Sequence, residues 1–358
     1  MKEVFANGRR QYPLFQGGDG IAINDLLNGL HSDRQEVVAV GKIDNPDFKE
    51  TSEQIVDQLL SRGVSVTSSS PERIEYTNPD SYKCVLVKDE LFEGDLRTML
   101  SESRPDIVLT QLNLSHRVID IASSLGLKTV LFVHDHHPFN YLPINESEKI
   151  SHVFFNSRST EAHFGPLLKC PSSILYSPLV IDRYKCDKVD PQYITMVNPT
   201  SDKGGDILLE VIKAFPGQQF LVVSGWRGVS DEFRNSENVT IVDRQYDMRE
   251  VYGKTKVLLV PSQWEEGFGR VAVEAMVNRI PVIASNIGGL PEAIGKGGIL
   301  VNEFINPKQW INSMNIFLRD TALQQRLGDL GYEHALTFDI EKIYAQFIEV
   351  LNRIHGVS

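Results

Sequence analysis

The sequence predicts an α/β protein built from two doubly wound halves, each around a parallel sheet. Three observations carry this. Apolar runs such as 257–260 and 281–285 are short, continuous and rich in β-branched residues, as in strands buried on both faces. These runs alternate with helical segments through both halves, the pattern of repeated βαβ units. The chain has 358 residues, comfortable for two hydrophobic cores.

In the N-terminal half, 4–6 reads as a short first strand, and 12–20, YPLFQGGDG, is too glycine-rich for anything but a loop. A helix follows, with Ile23, Leu26, Leu27 and Leu30 on one face. A strand, a glycine loop and a helix start can seat an anion, because the first N–H groups of a helix are unpaired. A plain turn explains Gly17-Gly18 equally well. Further strands are expected at 36–42, 64–67, 82–87, 107–111, 129–133 and 152–156, with helices at 52–61 and near 116–125. Ligands of doubly wound sheets sit at the C-terminal strand ends, which draws attention to His134-Asp135-His136-His137 after the strand 129–133. Three histidines and an aspartate suggest zinc, but their spacing matches no familiar zinc pattern. A structural turn is the other reading.

The second half begins after a crossing segment, 178–191, with prolines toward both ends. Strands are expected at 193–197, 220–224, 239–242, 257–260, 282–285 and 299–301. Helices are expected at 206–215, 249–254, 270–278, 307–318, 322–335 and 340–354. The last carries Ile343, Phe347, Ile348 and Leu351 on an apolar face, with Asp339 placed to cap it. Two similar halves leave a cleft between them, the expected place for a shared ligand.

The most informative stretch is 261–301, PSQWEEGFGRVAVEAMVNRIPVIASNIGGLPEAIGKGGILV. The loop Glu266-Gly267-Phe268-Gly269 has little side-chain bulk, so its backbone can approach a ligand closely. The helix start that follows favours a phosphate or a sugar oxygen. On that helix Ala272, Ala275 and Met276 share one face, and Arg270, Glu274 and Asn278 form a polar stripe on another. The plain reading of Arg270 and Glu274 is a solvated i,i+4 ion pair in the less favourable order, worth about 0.2–0.5 kcal/mol. The dinucleotide pattern G-x-G-x-x-A, met by 267–272, is set aside. Six residues separate the strand from Gly267, and the next strand ends in Ser285-Asn286 rather than in an acid.

Two glutamates eight residues apart, Glu266 and Glu274, followed by a small-residue strand and the turn Gly288-Gly289-Leu-Pro-Glu292, make this stretch resemble the signature of the retaining, nucleotide-sugar-dependent glycosyltransferases of family 4. The resemblance implies the GT-B fold, two Rossmann-like domains facing a cleft. The expected division is an acceptor-side domain over 1–183, a donor-side domain over 184–338, and a C-terminal helix, 339–358, crossing back to the first. It implies that Glu266 and the amides of Gly267, Phe268 and Gly269 hold the donor sugar, that Glu274 holds the ribose, and that His134 lies against the sugar. Gly17 and Gly18 would lie near the donor diphosphate or the acceptor, and residues 243–248 near the base. His136 and His137 would face the acceptor or solvent. An arginine and a lysine neutralise the diphosphate in that family. Lys203 matches the lysine, but Asn198 stands at the arginine's place. Arg270 is a candidate replacement, and the bland reading of Lys203 is an exposed loop lysine.

The expected activity is transfer of a hexose-type sugar from a nucleoside-diphosphate sugar, with UDP the favoured carrier, to an acceptor hydroxyl. Leaving-group charge would be met by preorganised donors. No Asp-x-Asp pair occurs in the sequence, so no metal clamp and no resident cofactor are expected. A net charge of −11 and a pI near 5.4 argue against nucleic acid as a partner. No apolar run approaches the ~20 residues of a membrane span. Residues 1–183 carry 18 Lys and Arg against 25 Asp and Glu, so the acceptor is expected to be soluble or peripheral. The opening MKEVFANGRR lacks the apolar core of a leader, and Cys84, Cys170 and Cys186 suit reduced thiols, so a cytoplasmic location is expected. The rival readings are a nucleotide-sugar epimerase or sugar phosphorylase on the same scaffold, and an inactive binding subunit.

Overall fold

Among the described residues, fifteen strands form two sheets, each assembled from the apolar runs of one half. The computed structural model describes residues 2–44, 50–79, 82–225, 228–245 and 247–356, with the side chains of 139–142 excepted. The chain divides into two units, Met1–Pro178 with Ile343–Ser358, and Leu179–Lys342.

The first unit contains β1 (Lys2–Ala6), β2 (Glu36–Lys42), β3 (Ser65–Ser69), β4 (Arg73–Thr77), β5 (Lys83–Val87), β6 (Ile107–Gln111), β7 (Lys128–Val133), β8 (His152–Phe155) and β9 (Ser172–Ile174). They order as β3-β4-β5-β2-β1-β6-β7-β8-β9. β1 and β6 pair in parallel; β7, β8 and β9 follow outward in succession beyond β6, whereas β2 lies beyond β1 and is followed outward by β5, β4 and β3. The sheet is not wholly parallel as expected, because β4 pairs antiparallel with both β3 and β5. Strand β4, Arg-Ile-Glu-Tyr-Thr, has only Ile74 and Tyr76 turned inward, and this alternation is what an antiparallel sheet needs. The helix Gly18–Ser32 buries Ile23, Leu26, Leu27 and Leu30. Thr51 closes a capping box at the start of Ser52–Ser61.

From Ile343 onward the last helix, Ile340–His355, belongs to this unit. Phe347 packs against Phe132 and Phe154, with ring centroids 5.9 and 5.8 Å away. The Tyr344 hydroxyl donates to Asp33 at 2.6 Å. Asp339 accepts from the Glu341 amide at 2.9 Å, the cap expected from the sequence.

The second unit is a six-stranded parallel sheet of β10 (Tyr193–Val197), β11 (Gln219–Val223), β12 (Val239–Val242), β13 (Thr255–Val260), β14 (Val282–Ser285) and β15 (Gly298–Val301). The order is β12-β11-β10-β13-β14-β15, and every pairing is parallel. Its core joins Ile194, Met196, Phe220 and Val222 of the sheet to Leu208, Trp310 and Phe317 of the covering helices. Fully burying an aliphatic or Phe side chain contributes about 1.5–3 kcal/mol, so this layer sets the strand register and hence where the loops emerge. Helix 270–278 was expected to be longer; it spans Arg270–Met276, and Arg279 follows with a positive φ of 56°. The turn at Gly288-Gly289 leads into an unexpected short helix, Leu290–Ile294, with proline in its first turn. Among the described residues no helix is long and apolar enough to cross a membrane.

Candidate functional site

In the second unit the strand order reverses between β10 and β13, and ligands of open parallel sheets bind outside the strand ends at such a point. Three loops leave those ends: 198–204 after β10, 261–269 after β13 and 286–289 after β14. The backbone joins them. Gln263 N donates to Asp202 O at 2.9 Å, and Gly289 N donates to Glu266 O at 2.7 Å. Gly204, at φ 86°, lies so near the Pro261 carbonyl that a Cβ would collide with it, and Gly288, at φ 58°, stands likewise against Glu266.

This interlocking brings Lys203 and Glu266 together across 63 residues. The ammonium lies 2.6 Å from Glu266 Oε1, with the two side chains 23% and 13% exposed. Ser262 also donates to that oxygen. The indole of Trp264, 43% exposed, lies over Lys203 with its centroid 4.5 Å from Nζ. Lys203 is therefore an organised cation rather than a free loop lysine. Sequence reasoning passed over Ser262 and Trp264, though both sit within four residues of Glu266.

The polar stripe of the helix is not solvated. Arg270 is 9% exposed and Glu274 8%. Arg270 Nε donates to Glu274 Oε1 at 2.9 Å and Nη2 donates to the Tyr184 hydroxyl at 3.1 Å, while the Tyr252 hydroxyl donates to Glu274 Oε2 at 2.9 Å. Burial raises Glu274 above the usual carboxylate range, and the Arg270 charge and the hydrogen bonds from Tyr252, Tyr184 and Arg270 oppose the rise. Burial also raises both phenols, so they remain hydrogen-bond donors at neutral pH. Asn278, the third member of the stripe, donates to the Tyr184 carbonyl and accepts from the Cys186 amide, each at 2.8 Å. The plain reading of a solvated pair does not hold: the pair forms, but inside the unit. Arg270 is correspondingly engaged there, which weakens it as a substitute for the arginine missing at Asn198. Nothing in the sequence marked Tyr184 or Tyr252, which lie 86 and 22 residues from their partners.

Other expected residues are placed as follows. Gly267 is buried. Phe268 is 4% exposed and meets Phe338 edge-on at 5.0 Å, so its ring packs within the unit and only its backbone suits a ligand. Gly269, at φ 99°, caps the helix Arg270–Met276. Asn198 ends β10 in the left-handed region at φ 57°, with its amide bound to Val223 O at 2.8 Å. Its Oδ1 is buried against Gly225 without a hydrogen-bond partner among the described residues. Of the base-side segment 243–248, Tyr246 lies outside the described residues.

In the first unit Gly17 and Gly18 do start a helix, Gly18–Ser32, with Asp19 in its first turn. Arg9 reaches Asp19 at 3.3 Å. Asp19, Asp135 and Arg9 all act electrostatically on His134, so the structure brings the glycine loop and the histidine into one neighbourhood. Burial lowers the His134 pKa and the two aspartates oppose it, leaving a neutral ring at pH 7. His136 Nε2 lies 3.0 Å from Ser159 Oγ, and Asp135 accepts from the His137 amide at 2.8 Å. Among the described residues no group of three or more His, Cys, Asp or Glu is placed to hold a metal ion.

Comparison with known proteins bears on this arrangement. Residues 183–334 match the family described as Glycosyl transferases group 1. Spore coat protein SA of Bacillus subtilis is 33% identical over 154 residues, 37% of this chain and 41% of that protein. The D-inositol 3-phosphate glycosyltransferase of Corynebacterium glutamicum is 29% identical over 170 residues, 42% and 40% of the two chains. The chain thus spans about two fifths of these curated relatives. Among solved structures, the sucrose-phosphate synthase of Thermosynechococcus elongatus superposes over 100% of both chains with a TM-score of 0.75 at 18% identity. HepE of Anabaena, solved with UDP and glucose, superposes over 98% of this chain and 99% of its own, with a TM-score of 0.74 at 16% identity. At such identities the likeness shows the fold, which is GT-B.

Proposed function

We propose, from the premise that residues 183–334 form a group 1 glycosyltransferase domain, that this chain moves a hexose-type sugar from a nucleoside-diphosphate sugar to an acceptor hydroxyl with retention at the anomeric carbon. The observation that carries the reading is the Lys203–Glu266 pair at the ends of the two central strands, 2.6 Å apart. Breaking the bond between the anomeric carbon and the leaving oxygen puts negative charge on the diphosphate. A cation fixed beforehand stabilises that charge with little reorganisation. Lys203 supplies the cation, assisted by the amides of 267–269. Glu266 accepts from a sugar hydroxyl beside it, and Glu274 accepts from the ribose. On the acceptor side, Gly17, Gly18 and a neutral His134 present donors to the sugar or acceptor. Retention rests on the family resemblance.

UDP is the proposed carrier, supported by the nucleotide found in the HepE structure. The name of the C. glutamicum relative supports a polyol phosphate as acceptor class. We take the reaction to be independent of metal and the protein to be cytoplasmic. An inactive binding subunit is favoured by one feature, Asn198 at the arginine's place. The test is release of UDP from UDP-glucose with and without a polyol phosphate acceptor, in excess chelator. Release that rises with acceptor supports transfer, and release indifferent to acceptor, or abolished by chelator, contradicts it.

A further inference from the structure

We propose that Tyr252 is a positioning residue for Glu274, holding its carboxylate in one orientation so that its remaining acceptor site meets a hydroxyl of a ribose. This rests on the ribose role assigned to Glu274 above. Tyr252 is fully buried on the short helix Arg249–Lys254 and takes no part in the Lys203–Glu266 site. Its hydroxyl reaches Oε2 while Arg270 reaches Oε1, both at 2.9 Å. Two donors from separate helices, one on each oxygen, fix the rotation of the carboxylate plane, which a single salt bridge would leave open. An ionised carboxylate offers about four acceptor sites; Tyr252, Arg270 and the Tyr184 hydroxyl take three of them, which leaves one for a hydroxyl of the ribose.

Arg270 is itself held by Tyr184, at 3.1 Å to the hydroxyl with the ring centroid 5.7 Å from Cζ. Among the described residues, the charged and titratable groups acting on Glu274 are Arg270 of its own helix, Tyr252 and Tyr184. The phenol remains protonated and so donates throughout the working range. Removing it leaves Oε2 of the buried Glu274 without the Tyr252 donor, with Arg270 and the Tyr184 hydroxyl still acting on the carboxylate, and the neutral acid gains on the ionised form.

The test uses the full chain and two probes, UDP and 2′,3′-dideoxy-UDP, titrated between pH 5 and 9. In the wild type, UDP affinity falls as Glu274 protonates on lowering pH, and the dideoxy probe binds more weakly. In Tyr252→Phe the midpoint of that fall moves up by about one pH unit, as loss of a hydrogen bond to a charged group implies. Discrimination between the probes falls about tenfold. Replacing Tyr252 by 3-fluorotyrosine, which keeps the volume and donates more strongly, moves the midpoint down. An unchanged midpoint and unchanged discrimination in both variants overturn the positioning role alone. A wild type that binds the two probes equally overturns the ribose role of Glu274 as well, so the two failures are distinguishable.

Discussion

Replacing Lys203 by alanine separates a binding lysine from a structural one. Its ion pair with Glu266 is partly exposed, at 23% and 13% for the two side chains. Such pairs contribute about 1 kcal/mol or less. The contact with the exposed Trp264 ring adds about 0.5–1 kcal/mol. Glu266 keeps the Ser262 hydroxyl after the change. The expected loss of stability is therefore about 1–2 kcal/mol, a few degrees in melting temperature. Loss of a charge-assisted contact to a diphosphate costs about 1.5–3 kcal/mol, or roughly 10- to 150-fold in Kd. Calorimetric titration of wild type and variant with UDP and with uridine reads both effects. UDP should weaken by that factor and uridine should be unaffected, because it carries no phosphate. Equal loss for both ligands, or a variant that no longer folds, would refute the assignment.

Three other substitutions probe the fold, two of them beside the site and one in the first unit. Arg270→Ala leaves the buried Glu274 carboxylate without its ion partner and should cost about 3–5 kcal/mol in urea denaturation; a loss below about 1 kcal/mol would mean the pair is solvated after all. Gly204→Ala forces a Cβ onto the Pro261 carbonyl at a positive φ, so both stability and UDP affinity should fall, by at least about 2 kcal/mol in stability; an unperturbed variant would show that the loops do not interlock. Glu3 is fully buried on β1, and burial pushes its pKa up to about 7 from 4.5. The folded state then holds a proton that the unfolded state releases. Stability should decline as pH rises from about 4.5 to 7, by at most about 3 kcal/mol. Glu3→Gln should flatten that decline in melts across this range, and identical pH profiles would remove Glu3 as its source.

The parallel strands were legible in the sequence because a strand buried on both faces must be apolar at every position, as at Val257, Leu258, Leu259 and Val260, each largely inaccessible to solvent. Strand β4 escaped for the opposite reason, since only its alternate residues face the core. At the site, the charged side chains and glycines of 261–269 were visible as a local cluster. Their partners were not, because the contacts close only when loops from different strands meet. Lys203 finds Glu266 across 63 residues, and Tyr184 finds Arg270 across 86. Periodicity placed Arg270 and Glu274 opposite the apolar face of their helix. It could not show that tyrosines from two other helices would cover that face and turn a surface pair into a buried one.

The account depends on the second unit holding a nucleoside diphosphate at the ends of β10 and β13. A melting series with UDP, GDP, ADP and dTDP, each up to millimolar concentration, tests this most directly. The account predicts that at least one, with UDP foremost, raises the melting point. At 100 times its dissociation constant a ligand adds about 2.7 kcal/mol. Four flat titrations would contradict it.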